Sequence, residues 1–289
     1  MLGLLGSNAA SGSDRPLGRA LGSRDAAAVT RALDVDPVSS CMVASRLEAY
    51  GMNPRFLGGE MWTVSEPGDS LCFSGANLMP LSGTEDQIAQ FADRAASTAR
   101  QCTSVVGHAH LAMPMWEQLA SAWGPAREVR ECQPLLALRG YPEARIDSEV
   151  RLVTNADMDA YYPAAVEMFI GEVGVDPRSG DEGRAYRRRL ASLIGARRVF
   201  ARFDGPRVVF KAEIGSLSRK VGQIQGVWVD PEYRGRGLGV SGTASVVAAI
   251  ARQGRISSLY VNDFNDAARH TYARVGFEQV GTFSTVLVD

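Results

Sequence analysis

Val227-Trp228-Val229-Asp230-Pro231-Glu232-Tyr233-Arg234-Gly235-Arg236-Gly237-Leu238-Gly239 is the stretch on which the fold of this 289-residue chain turns. A short apolar strand runs into an Asp-Pro turn, and a loop with glycine at alternate positions follows. An Ala- and Val-rich segment, Gly237 to Gln253, then reads as a helix. A glycine-rich loop opening a helix leaves backbone N–H groups unpaired at the positive end of the helix dipole. That end carries roughly half an elementary charge and suits a phosphate or diphosphate. Gly235, Gly237 and Gly239 lack a Cβ, so an anion can approach the backbone closely. Two other phosphate loops do not fit. A dinucleotide loop follows a first strand as Gly-x-Gly-x-x-Gly with an acid about 20 residues on, whereas a triphosphate loop needs Gly-Lys-Ser/Thr.

The second informative stretch is Asn265-Asp266-Ala267-Ala268-Arg269-His270-Thr271-Tyr272-Ala273-Arg274-Val275-Gly276-Phe277. Asn265 stands where a helix N-cap belongs and Gly276 where a helix stops. Tyr272 follows Asn265 by about two turns, so both lie on one helix face.

Together the two stretches resemble the GNAT superfamily of N-acetyltransferases. Its Arg/Gln-x-x-Gly-x-Gly/Ala loop is matched by Arg234, Gly237 and Gly239. Its downstream Asn-x-x-Ala-x-x-x-Tyr-x-x-x-Gly-Phe helix is matched by Asn265, Ala268, Tyr272, Gly276 and Phe277. The likeness spans residues 150 to 289, and the whole chain resembles actinobacterial tandem GNAT proteins with a degenerate leading half. The fold this implies is α/β (α+β): two GNAT-like domains, each a mixed, mostly antiparallel sheet flanked by helices.

The resemblance also implies roles. Acetyl-CoA would be the cosubstrate and a primary amine, either a small cationic amine or a protein or peptide amine, the acceptor, with direct transfer between them. Backbone groups of Val227 and Val229 would pair with the pantetheine arm like an added strand. Amides of Arg234, Gly235, Arg236, Gly237, Leu238 and Gly239 would hold the diphosphate, Asn265 would contact the arm, and Tyr272 would face the sulfur. A phenol, with an ordinary pKa of about 10, can give a proton or hydrogen bond to a departing thiolate. Members often carry a Glu early in the strand before the loop. Gln223 or Gln225 stands there, and Glu213 on the preceding strand is the substitute candidate for the base. The departure keeps an alternative open, a non-catalytic acetyl-CoA-binding sensor or scaffold. Acyl length is also open.

Outward from the site, Thr154–Gly171 and Arg184–Ile194 read as helices, and Val199–Phe203, Arg207–Ile214 and Ile256–Val261 as strands. A final extended segment runs from Gln279 to Val288. Trp228 faces the side of the sheet opposite to Val227 and Val229, toward core packing. Seven acids lie between Asn155 and Glu182, including Asp157, Asp159, Glu172 and Asp176, with only Arg178 opposing them. They suit a cationic acceptor or a solvated face. Arg187, Arg188, Arg189, Arg197 and Arg198 read as a solvated face.

The leading half repeats the element order without visible identity. Pro37–Tyr50 reads as a helix, Glu60–Ser65 and Ser70–Asn77 as strands, and Thr84–Gln101 as a helix with Thr84 and Gln87 spaced as a capping box. Leu78–Gly83 reads as a connecting loop with one glycine, too poor to cradle a cofactor. His108 and His110 read as polar residues pointing the same way from one strand. Expected domains are a flexible tail over 1–20, a degenerate domain without cofactor loop over 21–140, and an acetyltransferase domain over 149–289. The leading half would shape the acceptor pocket or an oligomer interface, which allows a homodimer.

Composition excludes several classes. A formal net charge of -1 gives no reason to expect nucleic acid or an anionic membrane as a main partner. No apolar run approaches the ~20 residues of a membrane span, and the N-terminus lacks a basic region ahead of an apolar one. Cys41, Cys72, Cys102 and Cys132 are too dispersed for a metal site and read as buried free thiols, which points to the cytoplasm. No metal is expected. The chain has two lysines, Lys211 and Lys220, against many arginines, which suggests a GC-rich bacterial genome.

Overall fold

The computed structural model describes residues 18–289. The leading half comprises β1 (Arg19–Ala20), α1 (Ala26–Leu33), α2 (Cys41–Tyr50), α3 (Pro54–Leu57), β2 (Gly59–Thr63), β3 (Leu71–Gly75), β4 (Leu78–Ser82), α4 (Glu85–Ala96), β5 (Ser104–His108), α5 (Ala109–Trp123) and β6 (Glu128–Leu138). The second comprises β7 (Arg151–Leu152), α6 (Met158–Val173), α7 (Arg184–Gly195), β8 (Val199–Asp204), β9 (Arg207–Leu217), β10 (Val221–Val229), α8 (Leu238–Ala251), β11 (Ile256–Tyr260), α9 (Asp266–Val275) and β12 (Glu278–Leu287).

The expected pair of mixed sheets is fused into one. The strand order is β1-β2-β3-β4-β5-β12-β6-β11-β10-β9-β8-β7, parallel only at β4–β5 and β10–β11. Each half gives its last strand to the other. β6 pairs with β11 over Leu135–Leu138, and β12 pairs with β5 over Phe283–Leu287, while β6 and β12 pair with each other at the centre. The exchange leaves neither strand as an open edge, where unpaired N–H and C=O groups would invite aggregation. It also mixes the cores. Leu136 and Leu138 of β6 pack with α8 and α9, and Val286 of β12 packs with α4 and α5. The sheet separates two helical layers, with α1, α2, α6 and α7 on one face and α4, α5, α8 and α9 on the other.

Several expectations are corrected. Of the tail, residues 1–17 lie outside the described residues, but Arg19 and Ala20 pair with Thr63 and Trp62 as an edge strand. Leu78–Ser82 is a strand rather than a loop. Its Leu78 and Met79 side chains are buried, and Pro80, which lacks a ladder donor, is accepted because the pairing with β5 is limited to Leu78 and Val105. The helix expected from Pro37 starts at Cys41, because Ser39 and Ser40 bond back to Asp36 in a turn. His110 lies on α5, not on the strand with His108, since His108 ends β5 and serves as the helix N-cap. Cys132 is exposed while the other three cysteines are buried. Three of the acids ahead of α7 have arginine partners instead of one: Arg151 holds Asp157, Arg187 holds Asp159 and Arg178 holds Asp176.

His108 Nε2 donates to Asp36 Oδ2 at 2.8 Å, tying the α1–α2 connection to the sheet. This bond outweighs the opposing effect of burial and, with the Ser39 N–H, holds the Asp36 carboxyl down at about 2. A depressed acid stabilises the fold fully above its ordinary pKa, and that contribution is lost as pH falls through the folded value. Asp36→Asn is therefore expected to lower the urea midpoint near about pH 6, with the gap to the parent narrowing toward about pH 2. A gap independent of pH would remove this carboxylate from the acid response.

Candidate active site

β10 and β11 pair only at their beginnings, Val221–Gln223 against Ile256–Ser258, and then splay apart. The splay has a local cause. Between Gln225 and Trp228 the β9–β10 register slips by one residue, a bulge centred on Gly226 (φ +58°) and Val227. Neither residue has a ladder partner on β9 or β11. Trp228 packs toward α6 and α7, while Val227 and Val229 pack toward α8, as the strand alternation predicts.

Beyond Val229 the chain turns through Asp230, whose side chain accepts from the Glu232 N–H at 3.0 Å. Arg207 braces the turn by bonding both oxygens of Asp230, at 2.6 and 2.8 Å, and reaching Glu232. Gly235 (φ +73°) and Gly237 (φ +82°) are left-handed, a conformation costly for any residue with a Cβ. Gly237 is the N-cap of α8 and supplies no side-chain cap. Among the described residues, no acceptor meets the N–H groups of residues 235–239, and the loop itself is exposed. This is the open end of a 14-residue apolar helix without an acid in its first turn. The equivalent helix of the leading half is closed. At α4 the Thr84 side chain accepts from the Gln87 N–H, and Gln87 Oε1 accepts from the Thr84 N–H at 2.8 Å. The same order of elements thus gives one bare helix end and one sealed by side chains.

Arg234 and Arg236 sit at the loop but turn away from its centre. Arg234 Nε donates to the Val229 carbonyl at 3.2 Å, and Arg236 donates to the Glu232 carbonyl while stacking on Tyr233. Val229 thus has its carbonyl occupied. A Cβ at Gly239 would fall 3.5 Å from the Thr271 methyl of α9, so the loop and the second motif lie side by side. Asn265 caps α9, its Oδ1 accepting from the Ala268 N–H at 3.1 Å, and Gly276 ends the helix with φ +104°.

Two turns on, the Tyr272 ring is buried against Phe277, and its hydroxyl has no hydrogen-bond partner among the described residues. Burial, with a smaller contribution from the Glu172 charge, pushes this phenol well above its ordinary pKa, so it stays protonated. Glu172, near the end of α6, is open to solvent yet crowded enough that desolvation raises its carboxyl pKa. Arg130, on the strand lent by the leading half, donates to the Glu172 carbonyl at 3.0 Å. Tyr260 stacks on Phe283 nearby. Arg130 of the leading half and Tyr260 of the second thus both lie close to Glu172.

Glu213 is brought to the bulge but is 1% exposed. Its oxygens are taken by Tyr161 (3.0 Å), Gln225 (3.2 Å), Lys211 (3.1 Å) and Arg189 (3.5 Å). Burial alone would raise its pKa; the Lys211 and Arg189 charges outweigh that and hold it ionised. Arg189 is consequently a partner of the site and not only part of a solvated face. The sequence reading missed Lys211 and Tyr161, and it named Glu172 only as one of seven acids that suit a cationic acceptor or a solvated face. Lys211 had a visible signal, a lysine two residues before a glutamate in an otherwise apolar strand, which places both on one face. Among the described residues no group of three or more His, Cys, Asp or Glu could hold a metal ion, and no helix is long and apolar enough to cross a membrane.

Residues 210–286 match the FR47-like protein family, and residues 59–161 match a domain of unknown function, DUF4081. The mycothiol acetyltransferase of Gordonia bronchialis is 30% identical over 188 residues, covering 58% of this chain and 58% of that protein. The chain thus spans less than two thirds of the length of this relative. Among solved structures, a GNAT-family acetyltransferase from Colwellia psychrerythraea superposes with a TM-score of 0.55 at 10% identity, covering 94% of this chain and 99% of that one. A GCN5-related N-acetyltransferase from Sphaerobacter thermophilus gives 0.51 at 18% identity, covering 94% and 95%.

Proposed function

We propose that this chain is a GNAT-type, acetyl-CoA-dependent N-acetyltransferase acting on a primary amine by direct transfer, a reading supported by the FR47-like match over residues 210–286 and the likeness to a mycothiol acetyltransferase. The observation that carries the reading is the uncapped N-terminus of α8 beside a buried tyrosine with an unbonded hydroxyl. We assign catalysis to residues 149–289 and the second wall of the acceptor recess to residues 21–140.

The residues present fit the cosubstrate. The five free N–H groups of residues 235–239 would hold its diphosphate, and a Cβ at Gly235 or Gly237 would project into open space, so nothing in the chain fills the cradle. The bulge frees Val227 to pair with the pantetheine arm, and Asn265, with its amide NH2 unbonded, would contact the arm. The Val229 carbonyl, which accepts from Arg234 Nε at 3.2 Å, would reach the arm only once that bond opens. Acetyl-CoA supplies a thioester whose carbonyl carbon an uncharged amine can attack. Tyr272 then holds a proton for the departing sulfur, and the binding elements hold the two reactants in line, which is worth several kcal/mol. Glu213, with its oxygens engaged by four donors, acts by fixing its partners, and the solvent-open Glu172 is the carboxylate placed to receive the amine's proton.

Thiol release from acetyl-CoA with a panel of amines and peptides tests the reading; amine-dependent release is expected. The engaged state of Glu213 favours the second reading, a sensor or scaffold. Tight coenzyme binding with no turnover on any amine, peptide or water would establish it over the first. Within the enzyme reading, Tyr272→Phe is expected to lower kcat about 10²-fold while the coenzyme Kd from calorimetry changes little. Equal rates in variant and parent would take Tyr272 out of the reaction.

A further inference from the structure

The bulge that frees Val227 is held from below by a buried charge. Lys211 is 0% exposed, and its Nζ donates to the Gly226 carbonyl at 3.1 Å and pairs with Glu213 at 3.1 Å. Its ammonium also lies over the Tyr161 ring at 5.6 Å. Glu213 is itself fixed by Tyr161, Gln225 and Arg189, so the ammonium has a rigid base that ties α6, α7 and β10 to β9. Gly226 must be glycine here, because it is left-handed and a Cβ would fall 3.0 Å from the Met168 methyl and 3.1 Å from Lys211 Nζ.

The consequence follows from peptide planarity. No peptide in the described chain is cis, so the Gly226 C=O and the Val227 N–H point in opposite directions. With the carbonyl drawn onto Lys211, on the α6–α7 face, the Val227 N–H is aimed away from that face. No ladder partner claims it. A cation on the carbonyl also polarises the same peptide and strengthens its N–H as a donor.

We propose that Lys211 is a positioning residue of the transfer reaction: by pinning the Gly226 carbonyl it turns the Val227 N–H toward the thioester oxygen of the bound acetyl group. This rests on the acetyltransferase reading given above. The ion pair is a costly way to fill a core, since desolvation offsets much of the attraction and apolar replacements of similar size are often neutral or stabilising. Here the pair sits at the bulge and bonds its carbonyl, which is what aiming a donor requires.

The test uses Lys211→Met and the charge-balanced double variant Lys211→Met with Glu213→Gln, which leaves no unpaired buried charge. Each is compared with the parent in four measurements: thermal unfolding, the calorimetric Kd for acetyl-CoA, kcat with an amine the parent accepts, and the carbonyl stretch of bound carbonyl-13C acetyl-CoA by difference infrared spectroscopy. Losing one aimed oxyanion donor costs about 10²–10³ in kcat. We expect the double variant to fold cooperatively and bind acetyl-CoA within about threefold of the parent, equivalent to less than 1 kcal/mol. It should lose at least about 10-fold in kcat, and most of the downshift of the bound carbonyl band seen in the parent should disappear. A folded double variant with the parental kcat and carbonyl band overturns the role of Lys211 and leaves the enzyme reading standing. A parent that neither binds acetyl-CoA nor turns over any amine overturns the reading beneath it.

Discussion

A fragment holding only residues 149–289 is expected to show no cooperative unfolding transition, although it contains both sequence motifs. The reason is the exchange of last strands. Removing the leading half removes β6, which contributes Leu136 and Leu138 to the core under α8 and α9. Losing large buried side chains costs about 2–5 kcal/mol each, and a domain has only about 5–15 kcal/mol in total. The loss of β6 also strips β11 of a neighbour and leaves β12 without a partner on either side, since β12 pairs only with β5 and β6. Two bare strands are then open to aggregation. Supplying residues 128–138 as an added segment that can reach the gap between β11 and β12 should restore a transition. Circular dichroism on heating decides it: a fragment melting as sharply as the full chain would show that the halves are independent.

Gly237→Glu is expected to abolish acetyl-CoA binding while sparing the fold. The backbone at Gly237 is left-handed (φ +82°), which costs a residue with a Cβ about 1–2 kcal/mol. Nothing lies within 4 Å of the position a Cβ would take, so no collision in the unliganded chain adds to that cost. The new carboxylate, however, sits at the N-cap of α8, where it can accept the N–H groups that the diphosphate needs and repel the diphosphate as well. Gly237→Ala separates the two effects, because it carries the same backbone cost without the charge. Calorimetry should give an alanine variant that still binds and a glutamate variant whose affinity falls at least about 10²-fold, or roughly 3 kcal/mol. Equal affinities in the two variants would mean that the loop holds no anion.

How much of this was legible in the sequence depended on whether the cause was local. The glycine loop, the Asn265 cap, the Gly276 stop and the Thr84–Gln87 box are decided within a few residues by backbone conformation and capping, and each stands where the pattern placed it. Strand alternation placed Trp228 opposite Val227 and Val229 for the same reason. Leu78–Ser82 misled because Pro80 and Gly83 read as loop chemistry, while the burial of Leu78 and Met79 overrode that signal. His110 misled because two histidines with alternate spacing suit a strand, yet β5 stops at His108 and a helix begins at the next residue.

The long-range features carried no local mark. Nothing in Glu128–Leu138 announces that this strand belongs between two strands more than a hundred residues away. The network around Glu213 gathers Tyr161, Arg189, Lys211 and Gln225 from four elements, of which the sequence shows only the Lys211–Glu213 spacing. Gly226 was a partial signal, since an isolated glycine in a strand suggests a bulge.

The bare amides at the start of α8 are expected to receive the diphosphate of the coenzyme. Hydrogen–deuterium exchange of the full chain, with and without acetyl-CoA, measures those amides directly. Exchange is expected to slow over residues 235–239 and at Val227, with α4 and its sealed first turn unchanged. Protection confined to other segments, with residues 235–239 exchanging at the same rate in both samples, would contradict the account.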